Sequence, residues 1–315
     1  MITKSKLLFL RMGNHNPQMT TALERYFDCT HIDWTEYGMY SQSLQDVVIN
    51  ACNDVNPNYV LLHIQNGNVL TINTIKQISK KHKVINWTGD VRYPLPQHYI
   101  DIGKEIFLTL YTNMNDVVKT RTHNINSDFL QVGFDDVDFT PVGDTHNYFQ
   151  PILFLGSNYL DSINFPLSQL RYDMVKLLKQ EFNSNFGLYG SGWLNKDGIL
   201  TRYTEEATAY RTCKLAINLS HFDYSRYTSD RMFRIMGSGA LCLTHRYKDI
   251  DQDFNVGEDL VAWDNLDDLV DKIKYYISND DERQRIATNG YKLSKSKYTW
   301  INFAQNLKKI IKKYE

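Results

Sequence analysis

Short apolar runs rich in strand formers recur along this chain, and most are separated by stretches with apolar residues at helical spacing. In the first half, Lys6 to Met12, His31 to Trp34, Tyr59 to Ile64, Val84 to Trp87, Ile106 to Thr112 and Phe129 to Val132 predict strands. Met19 to Phe27, Leu44 to Cys52 behind a cap at Ser41, Thr71 to His82 and Asn115 to Thr122 predict helices. That alternation predicts a parallel sheet with helices on both faces, a Rossmann-like domain over residues 1–140. Asp135 to Gln150 is rich in Asp, Pro, Gly, Thr and Asn, has no helical period, and predicts a linker.

The rhythm then restarts. Ile152 to Leu155, Phe186 to Tyr189, Leu215 to Leu219, Ala240 to Leu243 and Leu260 to Trp263 predict strands. Leu167 to Glu181 and Glu205 to Thr212 predict helices among them. A second βα-repeating domain is therefore expected over residues 150–298, with helices at Leu266 to Ile277 and Glu282 to Ser294. A last helix, within residues 299–315, is expected to pack back on the first domain. Its lysines Lys308, Lys309, Lys312 and Lys313 suit a solvated face.

The richest stretch is Leu215 to His245. A buried strand leads through the polar, aromatic loop His221 to Tyr227 into Thr228, Ser229 and Asp230, which offer N-cap chemistry for the next helix. Gly237 and Gly239 end that helix before the following strand. A capped helix start between parallel strands is a place where phosphates bind, and Arg226 and Arg231 put two cations there.

Composition narrows the classes. The chain has 42% hydrophobic and 23% charged residues, as expected of a soluble globular enzyme. A net charge of -1 gives no global basic field for nucleic acid, although a local basic strip would not show in that total. Leu7 to Leu10 is too short for a signal peptide or membrane span, so a cytoplasmic protein without a span is expected. Cys29, Cys52, Cys213 and Cys242 lack metal-ligand spacing and suit free thiols.

Ligands of such sheets collect beyond the carboxyl ends of the strands. In the first domain these positions are Gly13 to Asn16 and Trp87-Thr88-Gly89-Asp90-Val91-Arg92, with Pro94 and Pro96 fixing the loop beyond. Asp90 and Arg92 form either a structural ion pair or a pair facing a ligand, with Asp90 accepting a proton or a hydroxyl. His15 is the second candidate base.

The second half resembles the GT-B glycosyltransferases, more narrowly the glycosyl transferases family 1 or CgeB-like group. The matching residues are FLGS (Phe154 to Ser157), YGSGW (Tyr189 to Trp193), AINLS (Ala216 to Ser220) and SDRMFRIMGSGALCLT (Ser229 to Thr244). The ending also matches, with Leu266 to Tyr276 and Asp281 to Gly290 preceding Tyr298-Thr299-Trp300. The likeness covers Gln150 to Glu315; over the first half it rests on layout and on WTGDVR.

This resemblance implies an α/β fold of GT-B type, two Rossmann-like domains facing across a cleft, with donor bound in the second and acceptor in the first. It also implies metal-independent transfer from a nucleotide sugar, a UDP-sugar being favoured, to a hydroxyl of a glycan, a small molecule, a protein or a modified base of phage DNA. The amides of Ser229 to Met232, with Arg231 and Arg226, would hold the diphosphate. Gly156 and Ser157 would lie beside it, Gly190 and Trp193 would border the base, and His221, Tyr227 and Thr228 would face the donor sugar. Asp90 or His15 would act as base if the enzyme inverts. Many retaining relatives carry a glutamate where this chain has Arg234, and it binds the donor ribose. Arginine cannot accept those hydrogen bonds, so Asp230 or Glu258 takes that contact or the nucleotide is held differently. Two rivals remain: an enzyme like a nucleotide-sugar 2-epimerase, and a non-catalytic nucleotide- or sugar-binding module.

Overall fold

A computed structural model describes residues 4–13, 17–145, 149–200 and 202–315. The chain divides into two compact units: one runs to Gly133 and takes back Trp300–Glu315, the other is Phe134–Thr299.

The first unit is built from β1 (Lys6–Arg11), α1 (Pro17–Tyr26), β2 (Asp28–Asp33), α2 (Gln42–Val55), β3 (Tyr59–Leu62), α3 (Ile72–Ser79), β4 (Lys83–Thr88), α4 (Gln97–Gly103), β5 (Leu108–Tyr111), α5 (Met114–Arg121) and β6 (Ser127–Phe129). All its strand pairs are parallel, in the order β2-β1-β3-β4-β5-β6. Ser41 caps α2 as expected, its hydroxyl accepting from the Leu44 amide at 3.2 Å. Two details differ from the sequence pattern. Pro96 starts α4 rather than only bracing a loop, because a fixed φ suits a helix entrance and Tyr99, Ile100 and Ile102 have an apolar face to bury. The last strand also begins earlier than expected, at Ser127; the Leu130 amide adds one more bond, to Tyr111 O at 2.9 Å, and Val132 is buried beyond it.

The second unit contains β7 (Ile152–Leu155), α6 (Ser168–Phe182), β8 (Phe186–Tyr189), α7 (Tyr203–Thr212), β9 (Leu215–Asn218), α8 (Asp230–Gly237), β10 (Leu241–His245), β11 (Val261–Trp263), α9 (Leu266–Ser278) and α10 (Asp280–Lys297). Its sheet is parallel as well, in the order β11-β10-β9-β7-β8. The strands are apolar on both faces because helices cover both, and their core includes Phe154, Leu188, Ile217, Leu243 and Trp263. The expected linker is partly tied into this unit. Arg211 on α7 donates to the carbonyls of Thr140 and Asp138, each at 2.6 Å. The chain then returns to the first unit as α11 (Trp300–Tyr314), which packs on α1 and sets Trp300 and Phe303 against Trp87.

Both units are therefore Rossmann-like, and each has a strand whose neighbours leave in opposite chain directions. In the second unit that strand is β7, flanked by β8 and β9, and the crevice at its carboxyl end is where such sheets bind ligands.

Candidate functional site

A cavity of about 230 Å³ lies at that crevice. Leu155, Gly156 and Ser157 after β7, Tyr189, Gly190 and Ser191 after β8, and Asp230 and Arg231 at the start of α8 line it, with Glu206, Arg234, Ile199 and Leu200. Close backbone approach builds the floor. The Gly156 amide donates to Tyr189 O at 2.8 Å, and a Cβ on Gly190 would come within 2.4 Å of Gly156 O. Gly190 also has φ +137°. Gly190→Ala is expected to lower stability by about 2 kcal/mol, because strain and a backbone clash coincide. An unaltered melting temperature would refute this account.

Part of the cavity lining is cationic. Ser229 stands at the N-cap of α8, but its hydroxyl makes no cap bond, so the first amides of the helix lack that partner. Arg231 donates to Asn218 Oδ1 and Leu219 O, both at 3.4 Å, and its guanidinium lies over the Phe154 ring. Among the described residues no carboxylate comes within ion-pair distance of it. Asn218 is fixed in turn by donating to Thr228 Oγ1 and Thr244 Oγ1, a buried polar link from β9 to the α8 entrance and β10. Charge-assisted donors that line a cavity suit an anion.

The lining also carries carboxylates. Arg234 lies one turn along α8 and donates to Asp230 Oδ2 at 2.5 Å and Glu206 Oε2 at 2.9 Å, with the Tyr203 ring under its guanidinium. Burial disfavours the Arg234 charge, but Asp230 and Glu206 outweigh it and hold the guanidinium above its ordinary value. Arg234 therefore holds two carboxylates at the wall instead of extending the basic patch. Each carboxylate keeps lone pairs for ligand hydroxyls.

The structure gathers Gly156, Ser157, Gly190, Asp230, Arg231 and Arg234 around one space, and the remaining candidates of the second unit are not among its lining residues. Thr228 is buried against Asn218. Trp193 is buried and donates from Nε1 to Gly156 O at 2.7 Å, bracing the floor from outside the cavity. Arg226 is turned to Asp253, which accepts two of its N–H groups at 2.6 and 2.9 Å. Tyr227 is buried against Phe222. Glu258, an expected substitute for the ribose acid, is instead ion-paired with Arg285 on the surface.

His221 lies against the Tyr159 and Phe165 rings in tilted contacts, and its Nε2 lies 2.7 Å from Arg171 Nη1. Burial, then the charges of Arg171 and Arg231, push its pKa down to about 3. The unfolded chain takes up a proton near pH 6.5 that the folded site refuses, so this contribution to stability is complete above that pH and lost towards pH 3. At pH 4 the loss is about 3 kcal/mol relative to pH 7. His221→Gln should flatten that limb of an acid-unfolding curve; superimposable curves would contradict it.

In the first unit the candidates sit at the carboxyl edge of the sheet. Gly13 follows β1 with φ +63°, its amide donating to Asp33 Oδ1 at 2.9 Å. Asp90 and Arg92 form an ion pair at 3.6 Å, and Arg92 also donates to Gln65 Oε1 at 3.1 Å. His15 lies outside the described residues.

Three contributors escape a reading of the sequence. Glu206 reads as a helix-surface acid, Asn218 as part of a strand, and Arg171 as one charge among several on α6. Only Asn218 carries a signal, a polar residue closing an apolar strand just before the loop.

Residues 171–309 match the family model described as "Glycosyl transferase-like". No curated protein matches the chain. Among solved structures, it is similar to HepE of Anabaena in complex with UDP and glucose (TM-score 0.66, 10% identity, covering 98% of this chain and 99% of that one). It is also similar to a glycosyltransferase from Rickettsia africae (TM-score 0.65, 12% identity, 99% and 98%). A third likeness is to sucrose-phosphate synthase from Thermosynechococcus elongatus (TM-score 0.68, 9% identity, 98% and 99%). Two parallel sheets with helices on their faces, taken with these structural likenesses, give the chain the GT-B fold, and its residues 171–309 match the glycosyl transferase-like family model.

Proposed function

We propose that the second unit binds a nucleotide-sugar donor, a UDP-sugar, and that the protein transfers its sugar to a hydroxyl acceptor. The observation that carries this is the mixed lining of one cavity: Arg231 and the start of α8 share it with the carboxylates of Glu206 and Asp230. A sugar nucleotide has matching chemistry, with a diphosphate dianion between hydroxyl-bearing rings. HepE, similar over its whole length, binds UDP and glucose. As the bond from the anomeric carbon to the phosphate oxygen breaks, the electron pair leaves with the diphosphate. Arg231 and the helix amides then stabilise that growing charge. Glu206 and Asp230 accept from ribose or sugar hydroxyls, the contact that a glutamate at position 234 would otherwise make. In this proposal no resident metal is required, so EDTA should leave turnover within about twofold. For inverting transfer, Asp90 is the proposed base that takes the proton of the acceptor hydroxyl.

The test is a thermal-shift panel of nucleoside diphosphates followed by turnover with the matching sugar donors. UDP is expected to raise the melting temperature most, and its sugar donors to release UDP when a hydroxyl acceptor is added. No shift with any nucleotide and no release from any donor would end the proposal.

A further inference from the structure

Behind the cavity lies a charge that the site as described does not use. Arg171, in the first turn of α6, is 1% exposed. Its Nη1 donates to Ser157 O at 2.8 Å and to His221 Nε2, its Nη2 donates to Leu219 O, and its Nε is buried with no partner. Among the described residues no carboxylate is within ion-pair distance of Arg171, and none is for Arg231 either. The two guanidiniums share an acceptor, Leu219 O, and both lie over the Phe154 ring, at 5.4 and 5.7 Å from its centroid.

The local dipoles do not help. Arg171 sits at the N-terminal, positive end of α6, and Arg231 at the positive end of α8. A buried arginine without an anion is costly, and a second one beside it raises the cost. The carbonyls satisfy hydrogen bonds but do not cancel two full charges.

We propose that Arg171 is the second cation of the phosphate site, a positioning residue set one layer behind the ligand. It fixes the Ser157 and Leu219 carbonyls and adds a buried charge, so the bound diphosphate balances two guanidiniums rather than one. This rests on the donor-site proposal above. It predicts an effect that grows with ligand charge and vanishes for a neutral ligand.

The experiment measures binding of inorganic pyrophosphate, UDP and uridine by calorimetry to the wild-type chain, Arg171→Met and Arg171→Lys. Arg171→Met is expected to weaken pyrophosphate and UDP at least tenfold and to leave uridine within twofold. Arg171→Lys, which keeps the charge, should hold pyrophosphate within about threefold. If Arg171→Met does not fold, Arg171→Gln takes its place, keeping a donor for Ser157 O without the charge. Wild-type affinity for pyrophosphate in the neutral variant overturns the inference. So does equal loss of pyrophosphate and uridine, the mark of a purely structural role, or a lysine variant as weak as the neutral one. A wild-type chain that binds none of the three ligands removes the donor site itself, a failure distinct from these.

Discussion

Arg231→Met should weaken UDP binding by about a hundredfold while leaving the ligand-free protein nearly as stable as before. The first half follows from the chemistry of the cavity. A guanidinium held by Asn218 and Leu219 at the uncapped start of α8 would make charge-assisted bonds to phosphate, worth about 3 kcal/mol. The second half follows because Arg231 has no carboxylate partner among the described residues, so its removal leaves no buried acid unpaired. The stability change should stay within about 0.5 kcal/mol. Calorimetry with UDP and a thermal melt check both halves. An unchanged UDP affinity would take Arg231 out of the site, and a large drop in melting temperature without ligand would recast it as a structural residue.

Arg234 should behave in the opposite way. Arg234→Met leaves Glu206 and Asp230 side by side without their shared cation, and breaking such a network typically costs about 3 kcal/mol or more. For a unit of this size that is a fall of about 10 °C in Tm. Part of the deficit should return as pH is lowered from 7 to 5, because repulsion raises the carboxyl pKa values in the variant and the folded state then binds more protons than the unfolded one. Arg234→Glu is the sharper case. If position 234 only awaited the acid that many retaining relatives carry, this change would improve donor binding. In this chain it would gather three carboxylates and should destabilise more than methionine does. A stable Arg234→Glu variant with tighter UDP binding would show that Glu206 does not serve as the substitute.

The two arginines are three residues apart on one helix, yet their expected effects differ in kind. Arg231 acts on a ligand, Arg234 on the protein. Nothing in the local sequence separates them, since both follow the same cap and both are cations on one short helix.

The strands and helices were legible because their signals are local. Apolar runs and helical spacing repeat within a few residues, and Ile152–Leu155, Phe186–Tyr189 and Trp300–Tyr314 fall where the pattern puts them. Gly156 and Gly190 stood out in the sequence through the family resemblance, while the close backbone approach between them is visible only in the structure. The candidate anion-binding helix start follows from sequence because Thr228 to Arg231 is a contiguous stretch. Its partner groups are not contiguous. Glu206 reaches Arg234 from α7, Asn218 orients Arg231 from β9, and Arg171 meets Ser157, Leu219 and His221 from α6. Charge pairing depends on distances across helices and strands that no short-range pattern encodes. The sequence alone determined two βα units and a candidate anion-binding helix start. Only the tertiary structure decided which arginines are neutralised by acids and which have no acid partner among the described residues.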